Sequence, residues 1–331
     1  MHLRGKGESD KATMVVGGSG FIGRHLVRAL SERSQSVVSI YHKRLPEPLP
    51  NVYPVCSSLD SVDLLAAPLR GVETVYFLAW QKTFLGTKEQ ISFDVKVENC
   101  SPNLRLLKNL VTAMEIAGTK RIIFMSAIGA NRKAKAPFLK EKYLAEFAVL
   151  NSVIPEKIIV RSSLVYCRES YDDPFIRSIL NIMKFPGIYP VPNHKEEIAP
   201  MHIDDLVDIL MQLNQAKIEG QSSILEVTGE EKLKIEDVFR MVSDRFVKGA
   251  RIQVRGTLGN TLLPVFERKG KETVNHRPRI KDYLGLGNQV DRHTRTDNTL
   301  TSILPQQYRR LQDALHASSG LEQVDKSQPS S

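Results

Sequence analysis

The stretch VVGGSGFIG, from Val15 to Gly23, decides how this chain is read. A short β-branched run opens directly into glycines at 17, 20 and 23. Phe21, Ile22, Leu26, Val27 and Leu30 then follow with helical apolar spacing. A strand that turns sharply into a helix is the setting in which a Gly-rich loop becomes a dinucleotide site. There Gly17 permits the tight turn, and Gly20 admits the backbone to a pyrophosphate with no Cβ in the way. Gly23 lets helix and strand pack closely. The helix N-terminus adds orphan N–H groups and a favourable dipole for phosphates. A bare glycine triplet would leave an ordinary turn open; strand, triplet and amphipathic helix in order favour the cofactor loop. Gly17, Ser19, Gly20, Phe21, Ile22 and Gly23 are its expected contacts.

Working outward, strands are expected at Thr13–Val16, Ser36–Tyr41, Val52–Cys56, Thr74–Trp80, Arg121–Ser126 and Lys157–Ser163. Helices are expected at about Phe21–Glu32, Val62–Leu69, Asn103–Ala117 (with Gly118 as C-cap) and Phe138–Leu150. This alternation predicts an α/β fold, a Rossmann-type doubly wound parallel sheet. A smaller C-terminal substrate lobe would attach to it. The expected division is a lead-in over 1–12 and a nucleotide-binding domain over 13–166, completed by 201–228. The lobe takes 167–200 and 229–290, and an extension over 291–331 ends in a polar, Ser-rich tail read as disordered.

With 331 residues, 41% hydrophobic and 25% charged, the composition is that of an ordinary globular protein. Cys56, Cys100 and Cys167 are scattered without CxxC or Cys/His spacing, so neither a disulfide framework nor a metal site is expected. No apolar run approaches a membrane span, and the N-terminus is short and polar for a signal peptide, which reads as cytoplasmic. The formal charge of +9 is uneven. Between Arg240 and Arg310 stand fifteen lysines and arginines against six acids, which accounts for the whole excess. That lobe suits an anionic partner.

Several further segments extend the pattern: VYFLAW at 75–80, SPNLRLLKNL at 101–110, KRIIFMSAIGAN at 120–131, APFLKEKYLAEFAV at 136–149, IVRSSLVY at 159–166 and PMHIDDLVDIL at 200–210. With GGSGFIG they resemble the short-chain dehydrogenase/reductase superfamily, in its extended and atypical members of the NAD-dependent epimerase/dehydratase type. The order of segments is most similar to the subgroup that includes the nucleotide-binding accessory subunit of respiratory complex I. The resemblance implies that Leu78, Ala79 and Trp80 end a strand beside the cofactor and that Asn103 is the structural Asn of the following helix. It places Ser126 near the nicotinamide and makes Lys142 the active-site Lys that holds the nicotinamide ribose. Ser58 and Leu59 would lie by the adenine, Ser58 where many relatives carry an Asp.

Two departures matter. The family's catalytic Tyr stands four residues before the Lys, and here that position is Phe138. A phenyl ring has no proton to give, and loss of such an acid/base typically costs on the order of 10²–10⁴ in rate. Tyr143 is rotated about 140° from the face of Phe138, so Tyr166 is the alternative donor, with a packing role as its plainer reading. The expected catalytic set is therefore Lys142, Ser126 and Tyr166. The second departure is at the end of the second strand. NAD-binding relatives place an acid there for the ribose 2′-OH, whereas Tyr41 is followed by His42, Lys43 and Arg44. NADP(H) is the expected cofactor, with NAD(H) second. His202 reads as structural, and Asp204 as the N-cap of the helix after it.

Three functions stay open at this point. One is an oxidoreductase or epimerase with an altered triad acting on a small, anionic, nucleotide-sugar-like molecule. Another is a non-catalytic NADP(H)-binding scaffold or sensor. The third is a polyanion-binding protein contacting RNA through residues 240–310, although that window lacks aromatic interleaving. Relatives also imply a homodimer formed through the helices at 103–117 and 138–150.

Overall fold

The computed structural model describes residues 12–80, 101–134, 136–167, 173–183, 187–191, 197–216, 222–247, 252–255, 258, 262 and 307–311. Strand and helix alternate as β1 (Ala12–Val16), α1 (Phe21–Glu32), β2 (Val37–Tyr41), β3 (Val52–Cys56), α2 (Asp63–Ala66) and β4 (Val72–Phe77). Next come α3 (Pro102–Ala117), β5 (Arg121–Ala127), α4 (Pro137–Leu150), β6 (Glu156–Ser162), β7 (Val165–Tyr166) and α5 (Pro174–Ile182). The chain continues through β8 (Ile188–Pro190), β9 (Glu197–Ile198), β10 (Met201–His202), α6 (Ile203–Leu213), β11 (Ser222–Val227), β12 (Leu233–Lys234), α7 (Ile235–Phe246) and β13 (Ile252–Val254).

Seven strands form one parallel sheet in the order β11-β6-β5-β4-β1-β2-β3. Successive strand residues point to opposite faces, and both faces are covered. On one, Val15, Tyr76, Ile123 and Val160 pack against Leu26 and Leu30 of α1 and Leu206 and Leu210 of α6. On the other, Met14, Val16, Phe77, Ile122, Phe124 and Ile159 pack against Leu107, Leu110 and Met114 of α3 and Ala145 and Val149 of α4. This two-sided burial is why β4, β5 and β6 read as near-continuous apolar runs. The strand order reverses between β1 and β4, and that crevice is where a doubly wound sheet takes a ligand. A third core gathers Tyr166, Phe175, Ile179, Tyr189, Phe239 and Leu311 beyond the sheet.

Local signals explain the helix ends. Ser101 Oγ accepts from Leu104 N at 3.3 Å to start α3, and Gly118 closes that helix at φ +70°. Elsewhere the structure corrects the expectations. The helix expected over Val62–Leu69 is only α2, because Pro68 has no N–H to extend the ladder. The fourth strand stops at Phe77: Leu78 N still donates to Val16 O at 2.9 Å, but β1 then turns away at Gly17 and leaves Ala79 and Trp80 without a sheet partner. The N-cap of α6 is His202, not Asp204. The His202 ring nitrogen Nδ1 accepts from Asp204 N at 3.2 Å, and Asp204 lies inside the first turn, where its charge suits the helix dipole.

Part of the expected C-terminal extension is docked on the body. Arg309 N donates to Asp205 Oδ2 at 2.9 Å, its guanidinium pairs with the same buried carboxylate, and Leu311 N donates to Glu231 Oε2 at 3.0 Å. The lead-in over 1–11, most of the basic window and the Ser-rich tail lie outside the described residues. Among the described residues no helix is long and apolar enough to cross a membrane.

Candidate functional site

The glycine loop is built by close approach. Gly17 has φ +89°, and a Cβ on it would stand 2.8 Å from Ala79 N, at the end of β4. Gly17 N and Gly18 N donate to Ile40 O at 3.1 and 3.2 Å, which ties the loop to β2. A Cβ at Gly23 would lie 2.1 Å from Gly17 O, so α1 enters against the loop backbone itself. Gly20 is the exposed N-cap of α1, without a side-chain cap, and the first turn carries no acid. The first N–H groups of α1 therefore face outward beside half-buried Ser19, Phe21 and Ile22. This cradle, which side chains would fill, fits a pyrophosphate.

At the neighbouring strand end, His42, Lys43 and Arg44 follow β2 as exposed bends. The next acid, Glu47, pairs with Arg28 at 2.7 Å on the surface. Half-buried Ser58 and buried Leu59 form the adjacent wall. Leu59 takes a left-handed φ of +61°, an uncommon conformation for a branched residue, and Asn109 holds it there. The Asn109 amide donates to Leu59 O at 3.0 Å and to Asp60 O at 2.9 Å.

Beyond the loop, β5 and α4 bring Ser126 and Lys142 into one buried region. Lys142 Nζ donates to Met125 O at 2.7 Å and lies 3.6 Å from the centroid of the Trp80 ring. Phe124 and Phe138 stand at 5.0 and 5.9 Å from the same ammonium. Burial lowers the Lys142 pKa to about 7, against a smaller opposing pull from Glu141 and Glu146. Asn103 is buried and donates to the Glu141 carboxylate at 3.2 and 3.3 Å. It thereby links α3 to the helix that carries Lys142.

Ser126 does not face Lys142 with a free proton. Its hydroxyl donates to the Glu146 carboxylate, which Arg161 of β6 engages at 2.9 and 2.7 Å. Arg161 also reaches Glu226 of β11 at 3.0 Å. This Ser126–Glu146–Arg161–Glu226 chain was missed from sequence, although a lone Arg in the apolar run of β6 was its visible trace. Tyr166 is placed elsewhere. It is fully buried in the third core, its hydroxyl donates to Arg309 O at 2.8 Å, and its ring meets His202 edge-on at 5.1 Å. The structure thus brings together the glycine loop, Leu78, Ala79, Trp80, Asn103, Ser126 and Lys142, while Tyr166 lies in the third core against Arg309 and His202.

Residues 17–166 match the family model for NAD(P)H-binding domains. The matched stretch runs from the glycine loop to the end of β7. A 3-beta-hydroxysteroid dehydrogenase from Mycolicibacterium neoaurum is 33% identical over 123 residues, covering 34% of this chain and 31% of that protein. NADH dehydrogenase [ubiquinone] 1 alpha subcomplex subunit 9, mitochondrial, from Mus musculus is 26% identical over 225 residues, covering 61% of this chain and 54% of that protein. The chain thus spans about a third and about half of these two relatives. Among solved structures, MoeE5 in complex with UDP-glucuronic acid and NAD superposes with a TM-score of 0.59 at 20% identity, covering 83% of this chain and 97% of that one. That likeness concerns the fold alone, a doubly wound parallel sheet.

Proposed function

We propose that this chain holds NADP(H), in preference to NAD(H), at the β1–β4 crevice and works as a scaffold or sensor with little or no turnover. The observation that carries this reading is Phe138, one helical turn before Lys142 with its ring beside the ammonium. The cofactor site is complete in its main parts, yet its proton-transfer groups are spent. Phe138 has no ionisable group, Ser126 is bonded to Glu146 and Tyr166 to Arg309. The 2′-phosphate that distinguishes NADP(H) meets His42, Lys43 and Arg44, with no acid to repel it. When bound, the dinucleotide would supply hydride chemistry. The chain's own part is to seat the pyrophosphate at Gly17–Gly23 and the nicotinamide ribose at Lys142. Purified protein tests this directly: denaturation should release NADP(H), and calorimetry with both dinucleotides should rank NADP(H) first. Release of NAD(H) alone would overturn the preference.

A second reading, an oxidoreductase or epimerase with an altered triad acting on an anionic nucleotide-sugar-like molecule, draws on MoeE5, whose structure holds UDP-glucuronic acid. The separate core around Phe175 and Phe239 would be its substrate lobe, with the basic C-terminal window attracting the anion. A polyanion such as RNA on that same window is the least supported reading. We further propose a homodimer through α3 and α4, where Ile116 and Phe147, with Val153 just after α4, are 73%, 60% and 80% exposed. Sedimentation of Phe147→Glu should then give a monomer. A cytoplasmic setting belongs to the proposal too, resting on cysteines without a pairing pattern, Cys56 and Cys167 being free thiols.

A further inference from the structure

Trp80 leaves the sheet at the end of β4 and lays its ring face on the Lys142 ammonium at 3.6 Å. Of the three N–H bonds on that ammonium, one is used by Met125 O, and no other oxygen accepts from it among the described residues. The indole N–H of Trp80 is itself buried, also without an acceptor among the described residues. Two touching groups therefore keep donors that no described residue accepts from, in a region where Phe124 and Phe138 also face the ammonium. Buried donors left unmatched are costly, and the ring face offsets only part of the ammonium's lost hydration. An oxygen-rich ligand is what such a box lacks.

We propose that Trp80 is the gate of the dinucleotide site: its indole face holds the Lys142 ammonium in the ligand-free chain, and the vicinal hydroxyls of the nicotinamide ribose draw both the ammonium and the indole N–H onto themselves. The inference rests on the dinucleotide-binding reading and gives the sensor its moving part. Binding at the glycine loop alone leaves the gate shut; occupation of the nicotinamide half opens it. The charged groups around Lys142 come from three elements. Glu141 and Glu146 lie on its own helix, with Glu141 held by Asn103 of α3 and Glu146 held by Arg161 of β6. With both carboxylates engaged, Lys142 is the group at the ring that changes charge near neutral pH.

Trp80 is the single tryptophan of the chain, so indole emission reports on it alone. In ligand-free protein the emission should titrate between about pH 5 and 9 as the ammonium on the ring gains and loses its proton. Lys142→Met should abolish that titration. Saturation with NADP⁺ should abolish it as well, whereas saturation with adenosine 2′,5′-bisphosphate, which lacks the nicotinamide ribose, should leave it in place. Calorimetry run alongside separates the two readings. NADP⁺ binding with an emission titration that persists overturns the gate and leaves the cofactor site standing. Emission that never titrates in the ligand-free protein overturns the Lys142–Trp80 contact. Absence of NADP⁺ binding overturns both gate and cofactor site.

Discussion

Phe138 and Lys142 stand one turn apart on α4, and the phenyl ring centroid lies 5.9 Å from the lysine ammonium. A phenol in place of that phenyl would have the ammonium beside it, the arrangement that lowers a phenol's pKa and readies it for proton transfer. Phe138→Tyr is therefore the change that separates scaffold from enzyme. The native protein should show little turnover with NADPH and a panel of nucleotide sugars, and the variant should gain by about tenfold or more. Robust native turnover that Phe138→Tyr does not alter would point to a donor outside this helix and would favour the enzyme reading.

Lys142 also leaves a mark on stability. Its pKa is about 7 in the folded chain against an ordinary 10.5. Between those values the unfolded chain holds more protons than the folded one, so the lysine's contribution makes stability rise with pH through that window. Below pH 7 the full cost of burying the ammonium is carried. Lys142→Met should raise the unfolding temperature by several °C at pH 6, with a gain that fades toward pH 10. Thermal unfolding followed across that range checks it. A pH-independent difference between the two proteins would show that the lysine is not titrating where the burial places it.

The glycines of the loop should divide by role. A Cβ on Gly23 meets Gly17 O at 2.1 Å, and neither backbone can give way. Gly23→Ala should cost about 3 kcal/mol of stability or more. Gly20 has φ −76° and ψ 176°, which any residue adopts, and its Cβ would lie 3.1 Å from Gly17 O. Gly20→Val should consequently fold, with a modest loss of stability, and fail to bind either dinucleotide. A Gly20→Val protein that binds NADP(H) normally would displace the pyrophosphate from this loop.

The basic bend after β2 carries the cofactor preference. Replacing Lys43 and Arg44 by Ala should weaken NADP(H) by about one to two orders of magnitude, since each removes a charge-assisted contact to the 2′-phosphate. NAD(H) affinity should hardly move. Equal loss for both dinucleotides, measured by calorimetry at fixed salt, would show that the bend acts on the pyrophosphate or on the fold instead.

The glycine loop, α1, α3 and the alternation of strands with helices were legible because their signals are short-range. A positive φ at Gly17, an open cap at Gly20 and the Ser101 and Gly118 ends of α3 each follow from a few neighbouring residues. The pairing of Lys142 with Phe138 was legible for the same reason, as a one-turn spacing on one helix. His202 shows the limit even of local reading. An acid two residues after a histidine looks like the better cap, yet the backbone leaves β10 so that the ring, not the carboxylate, reaches the free N–H of Asp204.

By itself, then, the sequence determined that this chain builds a doubly wound sheet with a tight glycine loop at its first turn, because dihedral demands and apolar periods are written in consecutive residues. Tertiary structure decided which polar groups remain available at that site. Ser126 meets Glu146 and Arg161 across two strands and a helix, and Tyr166 meets Arg309 from far along the chain. Trp80 reaches Lys142 only because β4 and β5 are neighbours in the sheet. Each of these contacts joins residues whose separation along the chain carries no distance information until the strands have paired. A hydroxyl or an ammonium is reactive or spent according to which partner that pairing brings within reach.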